Sequence, residues 1–173
     1  MPQSPTNSTT PDTLDQLVGI QPGSPLAELR ARRPDVARYT QGSYDTLLTP
    51  ADPAGVSVAE RLLIALRVAV LTASAPLTAH YRQRLVDLGT PAATLEAVEH
   101  FPTGDELSPR EVALLRHTDL LTNEPRAATQ TALAELQAQG LSARDLVTIA
   151  QLIAFLSYQV RVLAGLQLLG EGL

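Results

Sequence analysis

The sequence predicts an all-α protein, and three observations lead to this fold class. Hydrophobic residues make up 45% of the 173 residues but aromatic residues only 3%, so Leu, Ala, Val and Ile must build the core, and Leu and Ala favour helices. Apolar residues recur at helical spacing in successive segments. Proline or glycine separates these segments, and Ser or Asp residues in helix-capping positions precede several of them. A chain of this length suits a single domain.

The N-terminal part is predicted to contain a tail and an arm. Residues 1–11 are rich in Pro, Ser and Thr and lack the cationic start and apolar centre of a signal peptide, so we expect a disordered tail. Residues 12–54 are predicted to form a short N-terminal helical arm of three helices. The third begins at Pro34, and we expect Val36 and Tyr39 to face inward.

The central helix is predicted from residue 57 onward. Ser57 and Glu60 have the spacing of a capping box, in which each side chain binds a backbone N–H that the first helical turn leaves unpaired. Only Arg61 and Arg67 interrupt the apolar run that continues to Leu71. The helix must therefore be covered by protein on nearly every side.

Residues 55–173 are predicted to form one helical domain around this helix. Pro76 stands at the start of the next helix and Gly89 at its end. A second capping box occurs at 108–111, and the last helix opens with Ser142-Ala-Arg-Asp145. The predicted helices of the domain are approximately 57–71, 77–88, 91–101, 109–120, 126–139 and 143–169.

A weak internal repeat relates residues 55–69 to residues 140–154. Five positions are identical at one offset, a Gly, a Ser, an Ile and two Ala. A duplicated unit would pack its two equivalent helices as a pseudo-symmetric pair. The alternative is that two capped helices rich in Leu and Ala share such matches by composition, and both interpretations stay open.

Composition excludes several classes of chemistry. The chain has no Cys, and every one of its 13 basic residues is Arg, so it offers neither a thiolate nucleophile nor a lysine for a Schiff base. A net charge of −5 disfavours general binding to nucleic acid. The segment 146–169 carries three Gln and one Arg, so we predict no membrane span and expect a cytoplasmic protein.

No cofactor is predicted from the sequence. His80, His100 and His117 do not have the His-x-x-x-His or His-x-x-His spacing that places two ligands on one helical face, so we expect no metal site. The chain also lacks a glycine-rich phosphate loop and a Gly-x-Ser-x-Gly nucleophile elbow.

Four segments in order carry a family resemblance. They are Ala59-Glu-Arg-Leu-Leu-Ile-Ala-Leu-Arg-Val-Ala-Val70 with the polar turn and His80 after it, Leu88-Gly-Thr-Pro91, Leu107-Ser-Pro-Arg-Glu111 and Leu152-Ile-Ala-Phe-Leu-Ser-Tyr-Gln-Val-Arg161. Over approximately residues 55–170 the chain resembles the carboxymuconolactone decarboxylase family, particularly its peroxidase-related, alkylhydroperoxidase D-like branch. The resemblance implies an alkylhydroperoxidase D-like helical bundle that forms homo-oligomers, trimers or hexamers, and the apolar final helix suits such an interface.

The resemblance also implies a Cys-x-x-Cys motif followed by His, with a Glu on the preceding helix. If His80 is the motif histidine, the cysteine positions fall either on Ala73 and Pro76 or on Ser74 and Leu77, and neither register supplies a thiol. We therefore expect no thiol peroxidase activity.

The residues that remain for a site are His80, Glu60, Arg67, Ser74, Tyr81, Tyr158 and Arg161. One hypothesis is a small-molecule-binding or interaction protein, with a small carboxylate as a candidate ligand. The other is a non-redox lyase or isomerase acting on a small lactone or organic acid, with His80 as general acid/base, Glu60 as a second catalytic candidate, and Arg67 or Arg161 holding the carboxylate. Four of these residues also have a structural interpretation: a capping acid for Glu60, an ion pair for Arg67 or Arg161, and a hydrogen-bonded core or surface histidine for His80.

Overall fold

A computed structural model describes residues 12–172, which form nine α-helices and one 3-10 helix with no strand in that range. The prediction of an all-α protein is confirmed. The predicted disordered tail, residues 1–11, lies outside the described residues. The helices are α1 (Thr13–Val18), α2 (Pro25–Ala31), α3 (Pro34–Leu48), α4 (Val58–Leu71), α5 (Ala75–Asp87), α6 (Ala92–Glu99), α7 (Pro109–Asn123), the 3-10 helix (Pro125–Ala127), α8 (Gln130–Ala138) and α9 (Ala143–Glu171).

The centre of the bundle is α4. Its capping box is present, with the Ser57 hydroxyl accepting from the Glu60 N–H and the Glu60 carboxylate accepting from the Ser57 N–H. Every residue from Arg61 to Ala69 is buried, and α4 packs against α3, α5, α6, α7 and α9. The prediction of a helix covered on nearly every side is confirmed.

The longest helix, α9, is long and apolar enough to cross a membrane by length and composition, and 39% of its most apolar window is buried in the fold. It also packs against six other helices, α1, α2, α3, α4, α7 and α8. A helix that contributes buried side chains to so many neighbours belongs to the core of the bundle.

The inward face of α3 differs from the prediction. Val36 and Tyr39 are 45% and 63% exposed, whereas Thr40, Tyr44 and Leu48 are buried. The buried residues are four apart and lie on one face of the helix. Two of the three buried residues carry hydroxyl groups, so the spacing of apolar residues alone predicts the exposed face of α3 instead of the buried one.

Two details of the later helices also differ from the prediction. The helix expected from about Arg126 begins at Gln130, because Thr129 is extended and caps it with a side chain that accepts from Ala132 N–H. Leu88, the last residue of the predicted helix 77–88, is the C-cap of α5 and is 54% exposed, because the chain leaves the helix there.

Arg61 joins the N-terminal helices to the core. Its side chain is buried, and its guanidinium donates to the backbone carbonyls of Val56, Leu47 and Pro53. These three acceptors belong to the end of α3 and the loop after it. The guanidinium therefore fixes the C-terminal end of α3 against α4, which also positions Tyr44 one turn earlier.

Candidate functional site

A polar cluster joins α3 to α5. The Tyr44 hydroxyl lies 2.6 Å from His80 Nε2, and Arg84 Nη1 donates to the same hydroxyl oxygen at 2.7 Å. The Arg84 guanidinium also lies 5.4 Å from the centroid of the Tyr44 ring. His80 and Arg84 are one turn apart on α5, so both side chains project toward the same part of α3.

A guanidinium only donates, so the Tyr44 oxygen accepts from Arg84. The direction of the hydrogen bond between the Tyr44 hydroxyl and His80 Nε2 depends on the tautomer of the imidazole. Burial, and secondarily the nearby Arg84 charge, lower the pKa of His80 to about 4. The imidazole is therefore neutral at pH 7.

Tyr81 belongs to the core. It is completely buried, and its hydroxyl donates to Gln159 Oε1 on α9. Burial raises the pKa of the Tyr81 phenol, with the nearby Tyr44 adding to the effect. The ring lies edge-on to His80, with centroids 5.0 Å apart. Tyr81 therefore supports one side of His80 from inside the bundle.

Arg67 is paired within the fold. Its Nε and Nη2 donate to the two carboxylate oxygens of Asp119 on α7 at 2.6 and 2.8 Å, and Nη1 donates to the carbonyls of Val98 and Glu99. The guanidinium also lies 5.4 Å from the centroid of the Phe101 ring. The carboxylate that Arg67 binds belongs to the chain itself, and this ion pair faces α6 and α7, whereas His80 faces α3.

Glu60 is held by its cap and by a cation. Arg110 Nε donates to Glu60 Oε1 at 2.5 Å, in addition to the capping contacts with Ser57. Burial alone would raise the pKa of the Glu60 carboxyl, but the hydrogen bonds from Arg110 and Ser57 keep it below its usual value. At neutral pH the Glu60 carboxylate is therefore ionised, and both of its oxygens accept hydrogen bonds within the fold.

The four positions at which the resemblance places thiols lie in the turn after α4 and in the first turn of α5. Ala73 has φ 52°, in the left-handed region, and the N–H of Ser74 donates to Ala69 O, which closes the end of α4. Ser74 is the half-buried N-cap of α5, but its side chain makes no capping hydrogen bond. Leu77 is 1% exposed, so the second of the two possible registers ends in the core.

Tyr158 and Arg161 lie on the exposed side of α9. The Tyr158 hydroxyl lies 2.9 Å from Thr40 Oγ1, and the residue is 39% exposed. Arg161 is exposed and donates to the Ser157 carbonyl of its own helix. Neither side chain shares a hydrogen-bond partner with His80 or Arg67.

The structure thus brings His80 and Tyr81 together and distributes the other predicted site residues over separate contacts. Tyr44 and Arg84 are not among the site residues predicted from the sequence. Arg84 could have been predicted from the sequence, since it follows His80 by four residues on a predicted helix. Tyr44 could not, because no local pattern indicates that Tyr44 on α3 contacts α5. Within residues 12–172, no group of three or more His, Asp or Glu side chains is placed to hold a metal ion.

Comparison with known proteins identifies the fold. No protein-family model and no curated protein matches the sequence. Three solved structures are similar to 76–78% of the chain at 18–19% identity.

Two of these structures are uncharacterized peroxidase-related proteins. One, from Ralstonia eutropha, is described as an alkylhydroperoxidase AhpD core, with a TM-score of 0.69 and 68% of its chain covered. The other, from a Silicibacter species, has a TM-score of 0.70, also with 68% covered. The third is an Agrobacterium tumefaciens protein of unknown function, named as a candidate antioxidant defence protein AhpD, with a TM-score of 0.70 and 89% covered. The chain therefore has the all-α alkylhydroperoxidase D-like fold.

Proposed function

We propose that this chain is a cytoplasmic, self-associating protein that uses the alkylhydroperoxidase D-like fold to bind a small organic acid without redox turnover. The observation that supports this proposal is the cluster of Arg84, Tyr44 and His80 in a chain without cysteine. The cluster contains one cation and two neutral hydrogen-bonding groups, which suits an anionic ligand.

Thiol peroxidase chemistry requires a thiolate that attacks the peroxide and a second thiol that resolves the product. The sequence contains no sulfur nucleophile, since Cys is absent. Ser74 has a hydroxyl, but a serine oxygen cannot form the disulfide that completes the cycle. The peroxidase-related names of the structural neighbours therefore do not transfer to this chain.

The test is a peroxide consumption assay with dithiothreitol as reductant. We expect consumption of hydrogen peroxide and of an alkyl hydroperoxide no faster than in buffer, with a cysteine-containing protein of the same fold as the positive control. Turnover by this chain above the buffer rate would refute the non-redox proposal.

A second candidate function is a non-redox lyase or isomerase acting on a small lactone or organic acid. It is favoured by the hydrogen bond between the Tyr44 hydroxyl and His80 Nε2. In such a reaction the Tyr44 oxygen would take a proton from the substrate while the Tyr44 proton moves to His80 Nε2. His80 would thus act as a base through Tyr44.

This candidate is tested by a screen of lactones and hydroxy acids with the wild type and His80→Ala. Loss of an observed activity in His80→Ala, with the fold retained by circular dichroism, would support it. An activity that is unchanged in His80→Ala, or no turnover in the wild type, would remove the enzymatic alternative and leave the binding proposal in place.

A further inference from the structure

Arg84 is a half-buried cation without a carboxylate partner. Six other arginines of the described residues 12–172 have a carboxylate oxygen within 4.0 Å, whereas Arg84 has none. Within residues 12–172, its guanidinium donates from Nη1 to the Tyr44 hydroxyl. A guanidinium has five N–H donors in a planar fork, so most of its hydrogen-bonding capacity is unused.

His80 Nδ1 is a second unused group, on a residue one turn before Arg84 on α5. Nε2 is in contact with the Tyr44 hydroxyl, and when that hydroxyl donates to Nε2 the ring proton lies on Nδ1. In residues 12–172 the buried side-chain polar atoms without a partner are His117 Nδ1 and Thr122 Oγ1. The free donors of Arg84 and of His80 are therefore not sealed inside the protein and can meet a ligand from solvent.

We propose that the Tyr44 hydroxyl donates to His80 Nε2, that Arg84 and the resulting Nδ1–H of His80 bind the carboxylate group of a small organic acid, and that Tyr44 is the positioning residue of this site. This inference rests on the proposed function, for which it names the ligand-binding arginine and the chemical class of the ligand. Arg84 supplies the charge and His80 a neutral donor. Tyr44 holds both side chains because its one oxygen lies within 2.7 Å of a nitrogen of each.

A carboxylate fits this arrangement better than a neutral ligand. A half-buried guanidinium without a counter-ion is electrostatically unfavourable, and a carboxylate accepts from Arg in a planar, directional geometry. Arg67 provides an internal example, since it binds both oxygens of the Asp119 carboxylate. The arginine that lies beside His80 is therefore Arg84, whereas the sequence analysis assigned this role to Arg67 or Arg161.

Binding should be linked to protonation of His80. The titratable groups in contact with its ring are Tyr44 from α3 and Tyr81 and Arg84 from α5. A bound carboxylate offsets the Arg84 charge that now disfavours imidazolium, so the pKa of His80 should rise when the ligand binds. A ligand bound elsewhere on the surface would leave this pKa unchanged.

The experiment follows the His80 ring resonances by NMR during titration with acetate, and with acetamide as the uncharged control. We expect saturable shifts with acetate only, and an upward change in the His80 pKa at saturation. Arg84→Gln should weaken acetate binding at least tenfold, the loss typical of a charge-assisted hydrogen bond. The matched control is Arg82→Gln on the same helix, whose partner is Glu99, and its affinity should stay within twofold of the wild type.

The role of Tyr44 needs a separate readout. In Tyr44→Phe the Nε2 atom loses its partner, so the ¹⁵N shifts of the ring should show a loss of the preference for the Nδ1–H form, together with weaker acetate binding. A variant that only loosens the fold would change stability without changing the tautomer.

Several results would overturn the inference. They are equal effects of acetate and acetamide, equal affinity in the wild type and Arg84→Gln, or no acetate-dependent change at His80. If Arg84→Gln does not fold, Arg84→Lys keeps the charge but loses the planar fork and should bind acetate several-fold more weakly. Peroxide turnover is measured independently, so failure of the non-redox proposal and failure of this site are distinguishable.

Discussion

The Tyr44 hydroxyl contacts a cation, the Arg84 guanidinium, and a neutral imidazole, that of His80. Burial raises the pKa of the Tyr44 phenol, and the Arg84 charge and hydrogen bond oppose this effect. His80 is neutral for its own reason, since burial and Arg84 both disfavour imidazolium. At neutral pH the cluster therefore has a single net charge, on Arg84. This one uncompensated charge makes the cluster a candidate anion site.

His80 should make folding stability depend on pH between about pH 4 and 6.5. Its pKa is 6.5 in an ordinary environment and about 4 in the fold, so in this window the unfolded chain binds a proton that the folded chain does not. Stability is then lost as the pH falls. We expect wild type to lose up to about 3 kcal/mol relative to His80→Gln between pH 7 and 4, measured by urea unfolding in carboxylate-free buffers. Parallel pH profiles for the two proteins would contradict the assigned environment of His80.

Gly55 is required for space. A Cβ built on Gly55 would lie 2.3 Å from Asp145 Oδ2 and 2.7 Å from Oδ1. The Asp145 carboxylate cannot easily move away, because it accepts from the N–H of Gly55 and from the N–H and hydroxyl of Ser142. Hydrogen bonds from Ser142, largest among the causes, keep the pKa of Asp145 below its ordinary value.

Gly55→Ala should therefore destabilise the protein, by about 1–3 kcal/mol as expected for overpacking. The matched control is Gly42→Ala in α3, where nothing lies within 4 Å of the added methyl group. That substitution should stabilise the protein by about 0.5–1 kcal/mol through helix propensity. Thermal and urea unfolding of both variants check the pair, and a neutral Gly55→Ala would show that α9 can shift away from this contact.

At the scale of elements, α4 and α9 begin in the same way and at the same place. Both have a complete Ser-x-x-acid capping box, and Arg110 links the two starts by donating to Glu60, to Gly55 O and to Gln139 O. The two glycines that precede the boxes have different roles, however. Gly140 has φ 82°, whereas Gly55 is restricted by the approach of Asp145. The matching capping boxes favour a duplicated unit. The different roles of the two glycines favour the alternative, in which two unrelated helices have similar caps.

Contact between α4 and α7 should depend strongly on the Arg67–Asp119 pair. Removing the carboxylate leaves a buried cation with only backbone carbonyl partners, so Asp119→Ala should cost about 3 kcal/mol. Asp35→Ala is the matched control. It breaks the Arg38–Asp35 pair, whose side chains are 65% and 74% exposed, and should cost less than about 0.5 kcal/mol. Urea unfolding checks both variants, and similar small losses would indicate that Arg67 finds another partner or reaches water.

At the scale of the whole molecule, the sequence predicted what depends on local chemistry. Ser57 with Glu60 and Ser108 with Glu111 are capping boxes in the structure as predicted, because a cap depends on residues only three positions apart. The face of α3 and the partner of Arg67 were not predictable, because both depend on which helices cross. Asp119 is 52 positions from Arg67 along the chain, and nothing near either residue specifies that pairing.

The exposed side of α9 is left uncovered by the rest of residues 12–172. Val147, Gln151, Ala154, Tyr158, Arg161, Gly165 and Leu168 are all exposed and follow one another at alternating spacings of four and three. Such spacing forms a continuous stripe along a helix, here about 31 Å long. Arg161 is the only charged residue between Leu146 and Gly170. We propose that a second copy of the chain covers this stripe in a trimer or hexamer.

Sedimentation velocity at micromolar concentration tests this proposal. We expect an oligomer for the wild type and a shift toward monomer for Ala154→Glu, because a carboxylate in the middle of the stripe would lose its hydration on association. Ala154 is exposed in the single chain, so the variant should fold with nearly unchanged secondary structure. Leu133→Glu is the matched control, on a residue that is 37% exposed on α8, and it should leave the oligomer intact. A monomeric wild type would refute self-association, whereas dissociation by Leu133→Glu alone would move the interface to α8.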